Sequence, residues 1–344
     1  MPVDEPLTPP HTDPFAELRS TAATVAARVE AAMRTDLEKA LAGCDPLLVE
    51  VVHYALFNGG KRIRPLLTVL CSRCCGRDDD DLYLLAGAFE YLHVATLVHD
   101  DVIDRADRRR GKETVIARYD ITAAILAGDW LHARSMHLIG RLVGPDGLEI
   151  FCQATLSMVN GEFEQLRQIG NVLASEQQYL NVIQQKTGNL IASTCAIGAL
   201  YAGADHQQRK ALATYGDLIG AAFQVVDDLL DFQGSTNQTG KQTGNDFVEG
   251  KITLPLLEAL AQASPEDRQA MEGLIQGDRT QPAAYLRLVG YIDRYDGFGR
   301  AARTAQGLVD QAVSLLDAFT VCTERKNSLR LLQVLASYIL ARTK

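Results

Sequence analysis

No apolar run in this 344-residue sequence reaches the roughly 18 uninterrupted positions that a membrane-spanning helix requires. A secretory start is missing as well: residues 1–14 carry five prolines and acidic side chains, with no basic stretch leading into an apolar core. They read as a disordered tail, and the chain is expected to be cytoplasmic. There is no surplus of positive charge. The formal net charge of −9 at pH 7 excludes a globally basic surface for nucleic acid or anionic lipid, so any bound anion must be met locally.

The seven cysteines (Cys44, Cys71, Cys74, Cys75, Cys152, Cys195 and Cys322) are odd in number and mostly lie inside apolar runs. This favours reduced core residues over a disulfide framework. The cluster at Cys71 to Cys75 has no second cysteine pair or nearby histidine to complete a zinc site. Asp78-Asp79-Asp80-Asp81 invites a calcium-loop reading, but Tyr83 stands where the loop glycine belongs, and a helix N-cap fits better. A P-loop between Gly234 and Lys241 fails on spacing, and Gln242 replaces the magnesium-binding Ser or Thr. Strand-like alternation is nearly absent.

What is present is helical. With 47% hydrophobic residues the chain can bury a large core, and apolar positions recur three and four apart, as in Leu82, Leu85, Phe89 and Leu92 or Leu212, Tyr215, Leu218 and Ile219. Breaks fall at Asn58-Gly59-Gly60, Gly76 to Asp80, Gly144 to Gly147, Gly203 to Asp205, Gly234 to Gly250 and Ser264 to Asp267. Residues 15–344 therefore read as a single all-α domain, one large helical bundle.

Two acidic segments end apolar helical runs. Asp100-Asp101-Val102-Ile103-Asp104 follows Tyr91 to Val98, and Asp227-Asp228-Leu229-Leu230-Asp231 follows Ala222 to Val226. Carboxylates four apart share a helix face about 5–6 Å apart and repel, and buried ones need cations. Facing one another across a bundle, the two would suit magnesium, which combines a few carboxylates with water and phosphate oxygens. Basic clusters accompany them: Gly60-Lys61-Arg62-Ile63-Arg64, Arg108-Arg109-Arg110-Gly111-Lys112, Lys186-Thr187-Gly188, Gly240-Lys241 and Gly250-Lys251. Each alone is equally consistent with a solvated patch, but together they favour an anion site. His93, seven residues before Asp100, shares nearly its helix face.

With these motifs the sequence resembles the trans-type polyprenyl diphosphate synthases, nearest to the long-chain octaprenyl type, from about Leu48 to the C-terminus. The ordered set also includes Gly128-Asp129, Gly161-Glu162 and Gly244-Asn245-Asp246. The resemblance implies the isoprenoid synthase bundle with a central apolar cavity, usually a homodimer, which condenses isopentenyl diphosphate with an allylic diphosphate. It implies that Asp100, Asp104 and Asp227 hold several Mg2+ ions, supported by Asp101, Asp228 and Asp231. Lys61, Arg64, His93 and Arg110 would hold isopentenyl diphosphate. Arg109, Lys186, Lys241 and Lys251 would bind the allylic diphosphate, with Thr187 and Gln224 beside the developing cation. Arg109, Lys186, Thr187 and Gln224 would be the catalytic set.

In that family the residues upstream of the first acidic motif line the product tunnel. Ala95 and Thr96 are small there, which disfavours a farnesyl product and implies a longer chain. Phe89, about 16 Å deeper on the same helix, is either an ordinary core residue or the tunnel floor, with Met136 and His132 as rival floors. Alternatives are a geranylgeranyl diphosphate synthase, a class I terpene cyclase and a non-catalytic synthase subunit. The cyclase fits less well because the second motif is Asp-rich and a second diphosphate site is indicated. A non-catalytic subunit would be expected to have lost some of the matched positions, and none is lost.

Overall fold

In the computed structural model, the spacing of apolar side chains becomes helix over most of the described residues, 13–57, 59–109, 111–233, 244–317, 319 and 325–342. The predicted breaks act as caps. Helix α1 (Ala16–Ala40) precedes α2 (Pro46–Leu56), whose Asp45 cap accepts the Leu47 N–H at 2.8 Å. Helix α3 (Ile63–Cys75) stops at left-handed Gly76, and α4 (Asp80–Ile103) begins with Asp79 accepting the Leu82 N–H at 3.1 Å. The acidic run is thus the N-cap that the sequence favours.

After α4 the basic run forms a short antiparallel ladder, β1 (Arg108–Arg109) with β2 (Lys112–Glu113), where only loop was expected. There follow α5 (Val115–Arg118), α6 (Ile121–Val143), α7 (Pro145–Gln168) and α8 (Glu176–Ile183), the last opened by a capping box at Ser175. A π-helical turn (Gln184–Gly188) leads into α9 (Asn189–Tyr201) and α10 (His206–Gln233). The chain closes with α11 (Asn245–Glu249), α12 (Leu254–Gln262), α13 (Pro265–Gln276), α14 (Pro282–Arg294), α15 (Gly297–Asp317) and α16 (Lys326–Ala341).

Helix α4 runs through the core against α1, α3 and α6, while α9 bridges α3 to α10 and α10 leans on α15 and α16. Its Leu82, Leu85, Phe89, Leu92, Ala95 and Val98 are all buried. Among the described residues α4 is the one helix long and apolar enough to cross a membrane by length and composition, and 72% of that stretch is buried inside the bundle. A separate, smaller apolar cluster gathers around Phe232, Phe247, Leu256, Met271 and Ile292, beneath the end of α10. The six described cysteines are free, and Cys71, Cys74 and Cys195 are buried, in keeping with core roles; burial pushes the Cys74 thiol up to about 12. Residues 1–12 of the expected tail and Cys322 lie outside the described residues.

One buried ion pair fixes the segment that leads into α3. Arg62 adopts a left-handed backbone (φ 48°), pairs with Glu90 of α4, and donates from Nη2 to the Leu56 carbonyl at 3.0 Å. Both side chains are below 10% exposed, so neither charge tolerates loss of the other. Arg62→Met should therefore cost about 3–5 kcal/mol in urea unfolding, and adding Glu90→Leu should recover most of the loss. Equal stability of the single and double variants would contradict this account.

Candidate active site

Two glycines create the notch in which the site is built. A Cβ at Gly161 of α7 would lie 2.8 Å from the Lys186 backbone nitrogen, and one at Gly220 of α10 would lie 3.0 Å from the Gly188 Cα. Only hydrogen at these positions lets the π-helical turn sit between α7 and α10. The wider turn re-aims side chains relative to an α-helix, as such turns do at functional sites. Here it presents Lys186 and Thr187.

From Thr187 a line of hydrogen bonds reaches the second acidic motif. The Thr187 hydroxyl donates to Gln224 Oε1 at 3.3 Å, and Gln224 Nε2 donates to Asp228 Oδ1 at 2.9 Å. On its other side Asp228 accepts from the Tyr179 hydroxyl of α8 at 2.6 Å. Burial drives the Asp228 carboxyl well above the usual range, the nearby Asp246 charge adds to this, and the two hydrogen bonds oppose it. Lys186, Thr187, Gln224, Asp228, Asp246 and Lys251 together line one cleft.

The first motif lies at the C-terminal end of α4. Asp104 is the residue just past the last helical position and keeps helical backbone angles. Burial pushes the Asp100 carboxyl up to about 6; Lys186 and Arg109 oppose the shift, while Glu162 and Asp104 add to it. Asp101 is buried and accepts from Arg109 Nε at 2.7 Å, so the short β ladder turns one arginine back onto the motif. Lys186 Nζ lies 2.7 Å from Glu162 and donates to Gln165 Oε1 at 2.7 Å.

Asp227 of the second motif faces Arg342, near the end of the described chain, at 2.8 Å. Asp231 accepts the Asp246 N–H at 3.1 Å, tying α10 to α11. Burial would lower the Lys251 pKa, but Asp246 at 3.3 Å and Glu249 at 2.6 Å outweigh it and raise the value.

These donors fit a hard cation. All six aspartates offer oxygen alone, and burial raises Asp100 and Asp228, so that a further positive charge beside them would be favourable. Among the described residues no three His, Cys, Asp or Glu side chains converge into a ready-made cage.

The second group of predicted residues is arranged apart. Lys61 lines an apolar cavity with Phe223 and Arg342. Arg64 Nε is buried without a hydrogen-bond partner; burial lowers the Arg64 pKa and the Glu90 charge opposes this. An orphaned buried donor is a natural seat for an anion. His93 is half-buried on the α4 face that leads to Asp100. Arg110 and Lys241 lie outside the described residues. Down α4, Ala95 is buried and the Thr96 hydroxyl donates to the His93 carbonyl at 2.8 Å. Phe89 packs on Phe151 of α7 (ring centroids 6.0 Å), which also meets His132 (6.4 Å), while Met136 is partly buried nearby on α6.

Sequence reasoning gave no role to Tyr179, Gln165 or Arg342. Glu162 and Asp246 stood within the recognised motifs, but their partners Lys186 and Lys251 became visible only in three dimensions.

Comparison with known proteins follows this geometry. Residues 45–292 match the family described as Polyprenyl synthetase. The chain is 36% identical over 309 residues to heptaprenyl diphosphate synthase component 2 of Geobacillus stearothermophilus, covering 90% of this chain and 94% of that one. It superposes on a decaprenyl diphosphate synthase from Rhodobacter capsulatus with a TM-score of 0.86 and 32% identity, covering 95% and 99% of the two chains. A polyprenyl synthase from Caulobacter crescentus CB15, complexed with calcium and isoprenyl diphosphate, matches with a TM-score of 0.82 and 33% identity, covering 96% and 97%.

If the glycine notch aims Lys186 and Thr187, Gly161→Ala should fold with about 1–3 kcal/mol less stability and lose about 10- to 100-fold in turnover. Thermal melts and steady-state kinetics check this. Gly273→Ala, inside a helix and with nothing within 4 Å of the added carbon, serves as the control: turnover should be unchanged, and stability should rise slightly, by up to about 1 kcal/mol, rather than fall.

Proposed function

The chain belongs to the polyprenyl synthetase family, and from that premise we propose how its two acidic helix ends and its basic clusters divide the work of prenyl transfer. It is a trans-prenyltransferase of isoprenoid biosynthesis that condenses isopentenyl diphosphate with an allylic diphosphate to give products longer than farnesyl. Our assignment gives the allylic diphosphate to Arg109, Lys186, Lys241 and Lys251. Isopentenyl diphosphate goes to Lys61, Arg64, His93 and Arg110. The observation that carries it is the single cleft in which Lys186, Thr187, Gln224, Asp228 and Lys251 meet.

Asp100, Asp104 and Asp227 would hold Mg2+, with Asp101, Asp228 and Asp231 behind them. The ions would neutralise the charge that gathers on departing pyrophosphate. In the reaction the allylic carbon–oxygen bond breaks and its electron pair leaves with pyrophosphate. The double bond of isopentenyl diphosphate supplies the pair for the new carbon–carbon bond, and a proton is then lost, with pyrophosphate as its acceptor. Lys186 and Arg109 stabilise the leaving charge, and the oxygens of Thr187 and Gln224 face the electron-poor carbon. The apolar wall of α4 keeps water from it.

For product length we favour the octaprenyl type over geranylgeranyl. Small Ala95 and Thr96 leave the upper path open, and the Phe89–Phe151–His132 ring cluster is proposed as its floor. A cytoplasmic homodimer completes the reading. Its proposed contact is the apolar stripe on α7, where Leu156, Val159, Phe163 and Leu166 recur at helical spacing and are 48–65% exposed.

Supplied with farnesyl diphosphate, isopentenyl diphosphate and Mg2+, the protein should yield long polyprenyl alcohols after dephosphorylation, and Phe89→Ala should lengthen them by mass analysis. Hydrocarbon formed without isopentenyl diphosphate would overturn the synthase reading, and an unchanged product in Phe89→Ala would reject that floor. Separately, Phe163→Glu should convert the species seen by sedimentation from dimer to monomer. A wild-type monomer at micromolar concentration would sink the dimer.

A further inference from the structure

The charge on Asp227 is already met, and from the far end of the chain. Arg342 follows the last residue of α16, and its Nη1 lies 2.8 Å from Asp227 Oδ1. That nitrogen is buried yet makes no aligned hydrogen bond, so the contact is one of charge without directional bonding. The guanidinium carbon sits 4.6 Å from the centre of the Phe223 ring, which fixes the head over α10 by a cation–π contact. Phe223, Lys61 and Arg342 also share one mostly apolar cavity, whose walls include Ile63, Ile219 and Tyr338. Arg342 therefore stands between the second acidic motif and the lysine assigned to isopentenyl diphosphate.

A permanent partner for a functional carboxylate would be held by a bidentate fork. Here Arg342 Nη1 makes no aligned hydrogen bond to Asp227, so the contact balances charge and can be surrendered. Arg109 also balances charge, on Asp101 of the first motif and through an aligned hydrogen bond, and Lys186 pairs with Glu162 beside that motif, but both come from within the site. Arg342 alone of the three is carried by the C-terminal helix, so its release would be felt outside the cleft.

We propose that Arg342 is a placeholder cation at the second acidic motif: it occupies Asp227 until a divalent ion arrives with diphosphate, and its departure frees the end of α16. This rests on the reading of Asp227 as a metal-binding carboxylate. The placeholder keeps the motif from seizing a metal ion without substrate and couples filling of the metal site to movement of the C-terminus. Arg342 is thus a positioning residue, acting on the reaction through the ion.

The test uses the full chain and Mn2+ as the probe, titrated by electron paramagnetic resonance without substrate. Arg342→Gln should bind Mn2+ about three- to fivefold more tightly than wild type, the scale of a partly exposed ion pair, while Arg342→Lys should stay near wild type. Circular dichroism verifies that the variants fold. In the wild type, Mn2+ with inorganic pyrophosphate should speed amide exchange in the last turn of α16. Asp227→Asn separates the two claims. If it weakens Mn2+ binding while Arg342→Gln leaves affinity unchanged or weaker, the placeholder is overturned and the metal reading stands. If Asp227→Asn binds Mn2+ as the wild type does, the metal reading falls and takes the placeholder with it.

Discussion

Negative charge at the end of a buried helix is expensive until something positive meets it, and two core helices of this protein end that way. Helix α4 delivers Asp100, Asp101 and Asp104 from an apolar rod, and α10 delivers Asp227, Asp228 and Asp231. The C-terminal ends of helices carry partial negative charge of their own, which sharpens the demand. Most of the site answers it. Arg109 folds back through a two-residue ladder, Lys186 is presented by a π turn, Arg342 comes from the last helix, and Tyr179 and Gln224 hold Asp228 by hydrogen bonds.

A site of this kind needs placement more than reactive groups. No nucleophilic side chain is required, since the electron pairs that move belong to the substrates. Backbone geometry is accordingly where the sequence spends its special residues. Gly161 and Gly220 allow a close approach that no larger residue permits, and Arg62 accepts a left-handed backbone so that Glu90 can anchor the segment between Lys61 and Arg64.

Much of this was legible beforehand because it is local. Helical periodicity, the caps at Asp79 and Ser264, and paired Asp-Asp-x-x-Asp runs on apolar helices all depend on neighbours within a few turns. The aspartates and several of the cations near them could be named, and the structure places Lys186, Thr187, Gln224, Asp228 and Lys251 around one cleft. What escaped depends on distant partners. Tyr179 precedes Asp228 by 49 residues, and Arg342 follows Asp227 by more than a hundred; nothing in the residues near either announces the contact. The π turn was also hidden, because one extra residue in a helical turn leaves the apolar period on either side intact. The β ladder was missed for want of length: two residues per strand cannot show alternation.

Helix α4 is fixed at one end by its Asp79 cap and carries charge at the other, with Phe89 between them. On the proposed product path along such a rod each turn adds 5.4 Å, so depth would be graduated with the proposed chemistry at the mouth. A bulky side chain gained or lost one turn higher or lower resets the depth while the aspartates stay where they are. On that proposal specificity and catalysis are separable traits on one helix, and a lineage could change the length of what it makes by single substitutions, without passing through an inactive ancestor.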